Sequence, residues 1–153
     1  MKIKENKKAP SIRLLGTDNA KFDVKKIKGK LVIYFYPKDN TPGCTVEAKD
    51  FSKLYKQFKK LKCELVGISK DSLESHKNFK KKYKIPFNLL SDPDVKIQKK
   101  YGIWGKKSFM GKKFLGTIRS TLFLDKGKII KIWSNVRVKG HSKEVLEFIK
   151  SYE

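Results

Sequence analysis

Apolar residues follow three rhythms along this chain. The first is the unbroken run. LVIYFY at 31–36 and CELVGIS at 63–69 are rich in β-branched and aromatic residues, as strands buried on both faces should be. The second rhythm returns every three or four residues. Val46, Phe51, Leu54, Phe58 and Leu61 predict a helix between those two strands, and Leu73, Phe79 and Tyr83 predict the inner face of another. That second helix opens on the capping-box-like Asp71-Ser72-Leu73-Glu74 and is stopped by Ile85-Pro86. The third rhythm is short and broken by turn residues. Residues 11–24 read as two strands around Gly16, Asp18 and Asn19, and 87–90 as one more. Residues 117–125 and 128–136 flank Lys126-Gly127 as a hairpin. Asp92-Pro93-Asp94 is expected to open a short helix ending near Tyr101-Gly102, and Ser142 to cap a last one carrying Val145, Leu146, Phe148 and Ile149. The glycine-rich stretch 102–116 is expected to be irregular.

Strands and helices in that order describe an α/β layer sandwich, a mixed central sheet flanked by helices. The β-α-β units give parallel neighbours and the late hairpin gives antiparallel ones. At 153 residues the length fits one domain, 1–153. No apolar window is long enough for a membrane span, and the basic N-terminus lacks the apolar core of a secretory signal. The expected compartment is the cytoplasm, with no membrane partner.

Charge changes this picture little. The net charge is +23, but nearly all of it is lysine, with arginine only at Arg13, Arg119 and Arg137. Nucleic-acid recognition favours arginine forks, and no helix-turn-helix, zinc-finger or RNA-binding signature accompanies the lysines. Solvated helix faces account for them, and no specific nucleic-acid partner is expected. Biased codon composition explains abundant Lys, Ile, Asn and Phe with scarce Arg.

Two cysteines remain, Cys44 and Cys63, without a CxxC, and His76 and His141 lie far from both in sequence. A structural zinc site needs four clustered ligands, so neither a metal nor a cofactor is expected. Cys44 stands where the strand at 31–36 breaks into Pro37, Asp39, Asn40, Pro42 and Gly43 before the helix. In such sheets chemistry gathers at the carboxyl ends of strands. A helix N-terminus, and any nearby cation, favours thiolate over thiol. A Pro-Gly corner is poor ground for a buried filler, so Cys44 reads as a reactive thiol. Thr41 places a hydroxyl one short turn away, and Pro37 stiffens the wall.

These residues carry a resemblance. Pro37-x-x-x-Thr41-x-x-Cys44, followed by Glu47, is similar to the peroxiredoxin signature. The segments 67–83, 89–94, 101–125 and 138–149 resemble one branch, the bacterioferritin-comigratory or Q-type peroxiredoxins, so the likeness covers nearly the whole chain. It implies a thioredoxin-like fold and a thiol-dependent peroxidase acting in antioxidant defence. Cys44 would be the peroxidatic cysteine, passing through a sulfenic acid. Thr41 would orient the peroxide, Pro37 would shield the sulfenic acid, and Arg119 would hold the thiolate and the charge developing on the O–O bond. Backbone N–H groups of Gly43 and Cys44 would complete the pocket, with Glu47 positioning Arg119. Trp104 and Phe109 are expected to pack rather than to line the substrate site, and His141 to be structural.

The chain departs from that branch in its second cysteine. Where many members carry a resolving cysteine, five residues on or in the next helix, this sequence has Lys49 and Lys80. Cys63 opens a strand and shares a face with Leu65 and Gly67, which suits an inert filler better than a resolving thiol. A one-cysteine cycle is therefore expected, with thioredoxin, glutaredoxin or glutathione reducing the sulfenic acid. By the same likeness the chain is expected to be a monomer. Two other readings compete. One is a thiol–disulfide exchanger of thioredoxin-like fold, which the missing CxxC opposes. The other is a catalytically retired basic binding module, which intact Pro37, Thr41, Cys44 and Arg119 oppose.

Overall fold

Alternation within the apolar runs builds the molecule. The computed structural model describes residues 2–152, the side chain of Phe109 excepted. The strand β3 (Lys30–Phe35) turns Val32 and Tyr34 to one side and Leu31, Ile33 and Phe35 to the other, and each set is buried in its own cluster. Leu65 and Val66 of β4 (Cys63–Ser69) divide in the same way. A strand with two cores has no polar face, hence the unbroken runs.

Five strands form the central sheet in the order β5-β4-β3-β8-β9, where β5 is Asn88–Ser91, β8 Ser120–Asp125 and β9 Lys128–Trp133. The β3–β4 and β4–β5 pairs are parallel, and β3–β8 and β8–β9 antiparallel. One face is covered by α1 (Pro42–Lys60), α2 (Leu73–Tyr83) and α4 (His141–Ser151) through Phe51, Phe58, Phe79, Val145 and Ile149. The other packs against Ile3, Ala9 and Ile12 of the N-terminal segment, and against Ile97 and Tyr101 of α3 (Lys96–Tyr101). Beside that segment runs the small hairpin of β1 (Arg13–Leu15) and β2 (Lys21–Asp23). No helix among the described residues is long and apolar enough to cross a membrane.

Residues 102–116 correct the sequence reading. They are not irregular: β6 (Trp104–Phe109) and β7 (Lys112–Thr117) form a regular antiparallel hairpin. Met110 and Gly111 at its tip have φ of 52° and 80°, the same positive pair as Lys126 and Gly127 in the β8–β9 turn. Two positive φ angles match the twist of the flanking strands.

Helix starts differ in detail from the expected caps. Ser72, not Asp71, caps α2, accepting from Ser75 N at 3.1 Å. The third helix begins at Lys96 rather than at Pro93, although Asp92 still accepts from Ile97 N and Gln98 N. Gly140, with φ 73°, precedes α4, and Ser142 is buried inside its first turn. Val46 belongs to the outer face of α1, 49% exposed, because Cys44, Glu47, Ala48 and Phe51 form the inner one.

Candidate active site

Strand register brings the site together. Phe35, the last residue of β3, pairs with Ser120, the first of β8. The segment entering β8 therefore lies beside the loop leaving β3, and Arg119 meets the start of α1. Its Nη2 donates to Cys44 Sγ at 3.4 Å and its Nη1 to Glu47 Oε1 at 2.5 Å. A Cβ on Gly43 would stand 3.4 Å from the same Nη2, ordinary van der Waals contact, so the guanidinium lies directly beside the first turn. The Val136 N–H donates to the Arg119 carbonyl at 2.9 Å, fixing the backbone that carries it.

The helix start is left open. Thr41 is the N-cap of α1, but its hydroxyl accepts from no helix N–H. Instead Thr41 Oγ1 donates to Lys38 O at 2.7 Å. An ordinary threonine cap would engage one of the next N–H groups, those of Gly43 and Cys44 here. The first bond of the helix runs from Thr45 N to Thr41 O, so those two N–H groups precede the ladder, at the start of the helix that carries Cys44. Pro37, half-buried, stands two residues beyond β3 at the loop entrance.

Glu47 is buried, and burial pushes its carboxyl up to about 7, with the Arg119 cation pulling the other way. Its second oxygen, Oε2, is buried without a hydrogen-bond partner, as is the Tyr34 hydroxyl, and this unmet demand accounts for the cost of its charge. Arg119 is its ion-pair partner and bridges it to the thiol.

Two groups of residues here escape a reading of the sequence. Asp39, inside the active-site loop, is buried and accepts from Tyr36 Oη at 2.7 Å and Ser75 Oγ at 2.8 Å. His76 Nδ1 lies 2.8 Å from Asp39 Oδ2 while its Nε2 faces the Leu90 carbonyl at 2.9 Å. A carbonyl only accepts, so Nε2 carries a proton. Asp71 joins by accepting from Asp39 N at 2.9 Å. Asp39, Asp71 and His76 bring ligand atoms within 4.8 Å of one another, but these atoms are spent on hydrogen bonds that lash the loop to α2. The other is Lys107 on β6, half-buried beside Arg119. Desolvation loosens its proton, Arg119 adds repulsion, and Cys44 opposes both.

The remaining candidates lie apart. Cys63 pairs with Lys30 at the opposite end of β3 from the loop. The five steps of rise along the six residues from Lys30 to Phe35 put about 16 Å between those ends. A disulfide needs Cα atoms within about 7 Å, so the possible resolving role of Cys63 is not supported by this fold. Burial pushes the Cys63 thiol up to about 12. His141 is buried, with Nε2 2.7 Å from Thr121 Oγ1, and burial lowers its basicity. Trp104 is half-buried with Lys70 Nζ 5.8 Å from its ring centre, and the Phe109 side chain lies outside the described residues.

A sulfur at a helix start, faced by a guanidinium and open N–H groups, is the arrangement of a thiol enzyme. Comparison with known proteins gives the family. The AhpC/TSA family matches residues 6–132. Peroxiredoxin Bcp of Bacillus subtilis is 42% identical over 152 residues, 98% of this chain and 97% of that protein. Chloroplastic peroxiredoxin Q of Sedum lineare is 41% identical, across 98% of this chain and 80% of that one. Among solved structures, peroxiredoxin Q of Xanthomonas campestris superposes with a TM-score of 0.87 at 37% identity, covering 92% of this chain and 90% of that one. The chain belongs to the AhpC/TSA family, as a peroxiredoxin of the Bcp/Q branch with a thioredoxin-like fold.

Proposed function

We propose that Cys44 is the peroxidatic cysteine of a thiol-dependent peroxidase that reduces hydrogen peroxide and organic hydroperoxides in antioxidant defence. One observation carries this reading: Arg119 Nη2 lies 3.4 Å from Cys44 Sγ, beside helix N–H groups that hold no cap. A second X. campestris structure with a TM-score of 0.87 and 36% identity, a bacterioferritin comigratory protein, is described for its alkyl peroxide reduction activity.

The chemistry follows from charge. Cys44 thiolate attacks the terminal peroxide oxygen, the O–O bond breaks, and the departing hydroxide or alkoxide takes up a proton. Negative charge thus moves from sulfur onto oxygen, and Arg119 with the Gly43 and Cys44 N–H groups faces it at both stages. Because Thr41 Oγ1 donates to Lys38 O, its lone pairs remain to accept from the peroxide O–H. Pro37 shields the sulfenic acid, and Glu47 holds Arg119 in register. With Cys63 at the far end of the sheet, the sulfenic acid is reduced by an external thiol in a one-cysteine cycle. Thioredoxin, glutaredoxin and glutathione are the reductants proposed. The working form is a cytoplasmic monomer, since a net charge of +23 opposes self-association.

The test is peroxide consumption with dithiothreitol, run in parallel with those three reductants. One disulfide equivalent should appear per peroxide consumed. Disulfide reduction without peroxide turnover would instead favour the thiol–disulfide exchanger.

A further inference from the structure

Opposed glycines on the β6–β7 hairpin, Gly105 and Gly116, leave one face bare of side chains at that level. Lys107 fills the space: a Cβ on Gly116 would meet Lys107 Cδ at 3.1 Å. The lysine stem therefore rests on backbone instead of ranging through solvent. Lys107 shares a cleft of about 350 Å³ with Lys106, Ser108, Arg119, Asn135 and Val136. That volume suits a small ligand. Arg119 links the cleft to the site, because it lines the cleft and its Nη2 contacts Cys44 Sγ at 3.4 Å.

The residues lining this cleft include three cations and no carboxylate. Buried Glu47 offsets part of the Arg119 charge, and a Cys44 thiolate offsets more. Oxidation removes that second counter-charge, because a sulfenic acid is neutral. The cleft is therefore one unit more positive at the stage when a reductant must arrive. Like charges gathered beside a partly buried site attract an anion, and walls of low dielectric strengthen the field.

We propose that this cleft receives a small anionic thiol, with a carboxylate near its sulfhydryl, as the reductant of Cys44. The inference rests on the one-cysteine cycle proposed above. The incoming thiolate attacks Cys44 Sγ, an S–S bond forms, and the S–O bond breaks. Hydroxide leaves and takes a proton from solvent to become water. A second thiolate then attacks the outer sulfur, releasing an external disulfide and restoring the Cys44 thiolate. Two thiols are oxidised and one sulfenic acid is reduced. Lys107 holds the carboxylate throughout.

The experiment forms the sulfenic acid with one equivalent of hydrogen peroxide and mixes it with mercaptosuccinate or cysteamine, one anionic and one cationic. Mixed-disulfide formation is followed by rapid quench and mass spectrometry, and each rate is corrected for its thiolate fraction. The anionic thiol should react roughly tenfold faster at low salt. The advantage should shrink toward equality at about 0.5 M salt. Lys107→Met should reduce the preference to about threefold, and Lys107→Arg should keep it. Equal corrected rates, or a preference untouched by Lys107→Met, overturn the proposal. A sulfenic acid that disappears with no thiol added overturns the one-cysteine cycle itself, and the role of the cleft with it.

Discussion

Replacing Cys44 with serine should bring peroxide consumption down to the uncatalysed background, while Cys63→Ser should keep most of it. The two cysteines share one hydrophobic cluster and are both buried, so burial alone does not separate them. Their surroundings do. Cys44 faces Arg119 and the open start of α1, where negative charge on sulfur is stabilised. Cys63 Sγ donates to the Glu64 carbonyl at 3.5 Å, and burial holds its thiol up at about 12. A serine hydroxyl at position 44 keeps the geometry and loses the nucleophile, because an alcohol ionises far less readily than a thiol. At position 63 a serine can donate to the same carbonyl, so the main cost falls on packing. A coupled dithiothreitol assay on both variants checks this. Full activity in Cys44→Ser would remove the sulfur from the reaction.

Arg119→Met should be the next largest effect, lowering the peroxide step by about 10²–10³, the usual consequence of removing one donor to developing charge. Methionine keeps much of the bulk and removes both the 3.4 Å contact to sulfur and the ion pair with Glu47. Two readouts separate this from a folding defect. Alkylation of Cys44 by iodoacetamide should slow, because the sulfur loses the 3.4 Å guanidinium contact that favours negative charge on it. The stability loss should be modest, since Glu47, already pushed up to about 7, can take a proton when its partner is gone. Unchanged alkylation together with unchanged peroxide kinetics would place Arg119 outside the site.

Much of the fold is legible in the chain, for a physical reason. LVIYFY and CELVGIS have no polar face because each strand has two cores, and that pattern survives in sequence. The β8–β9 hairpin announces itself through Lys126-Gly127 between apolar runs. The β6–β7 hairpin uses the same turn geometry at Met110-Gly111 and yet reads as loop. Its strands are lysine-rich and largely exposed, so no buried face imposes alternation on them. Lys107 is hidden with it, although the Gly105 and Gly116 pair placed evenly about Met110-Gly111 is a usable signal.

The site divides in the same way. The thiol at a helix start follows from Pro42-Gly43-Cys44 alone. Arg119 stands 75 residues away, and only register across β3 and β8 brings it over the sulfur. No local spacing encodes that meeting; it entered through the family resemblance. Asp39 and His76 form a contact across 37 residues that neither residue signals by itself.

In the proposed one-cysteine cycle, Cys44 alone carries the oxidised state. This is tested most directly by one equivalent of hydrogen peroxide in the presence of dimedone, with alkylation of the remaining thiols and peptide mass spectrometry. A single dimedone adduct on Cys44, with Cys63 still alkylatable, is the expected result. A peptide pair joined through Cys44 and Cys63, or an adduct on Cys63 with Cys44 untouched, would contradict it.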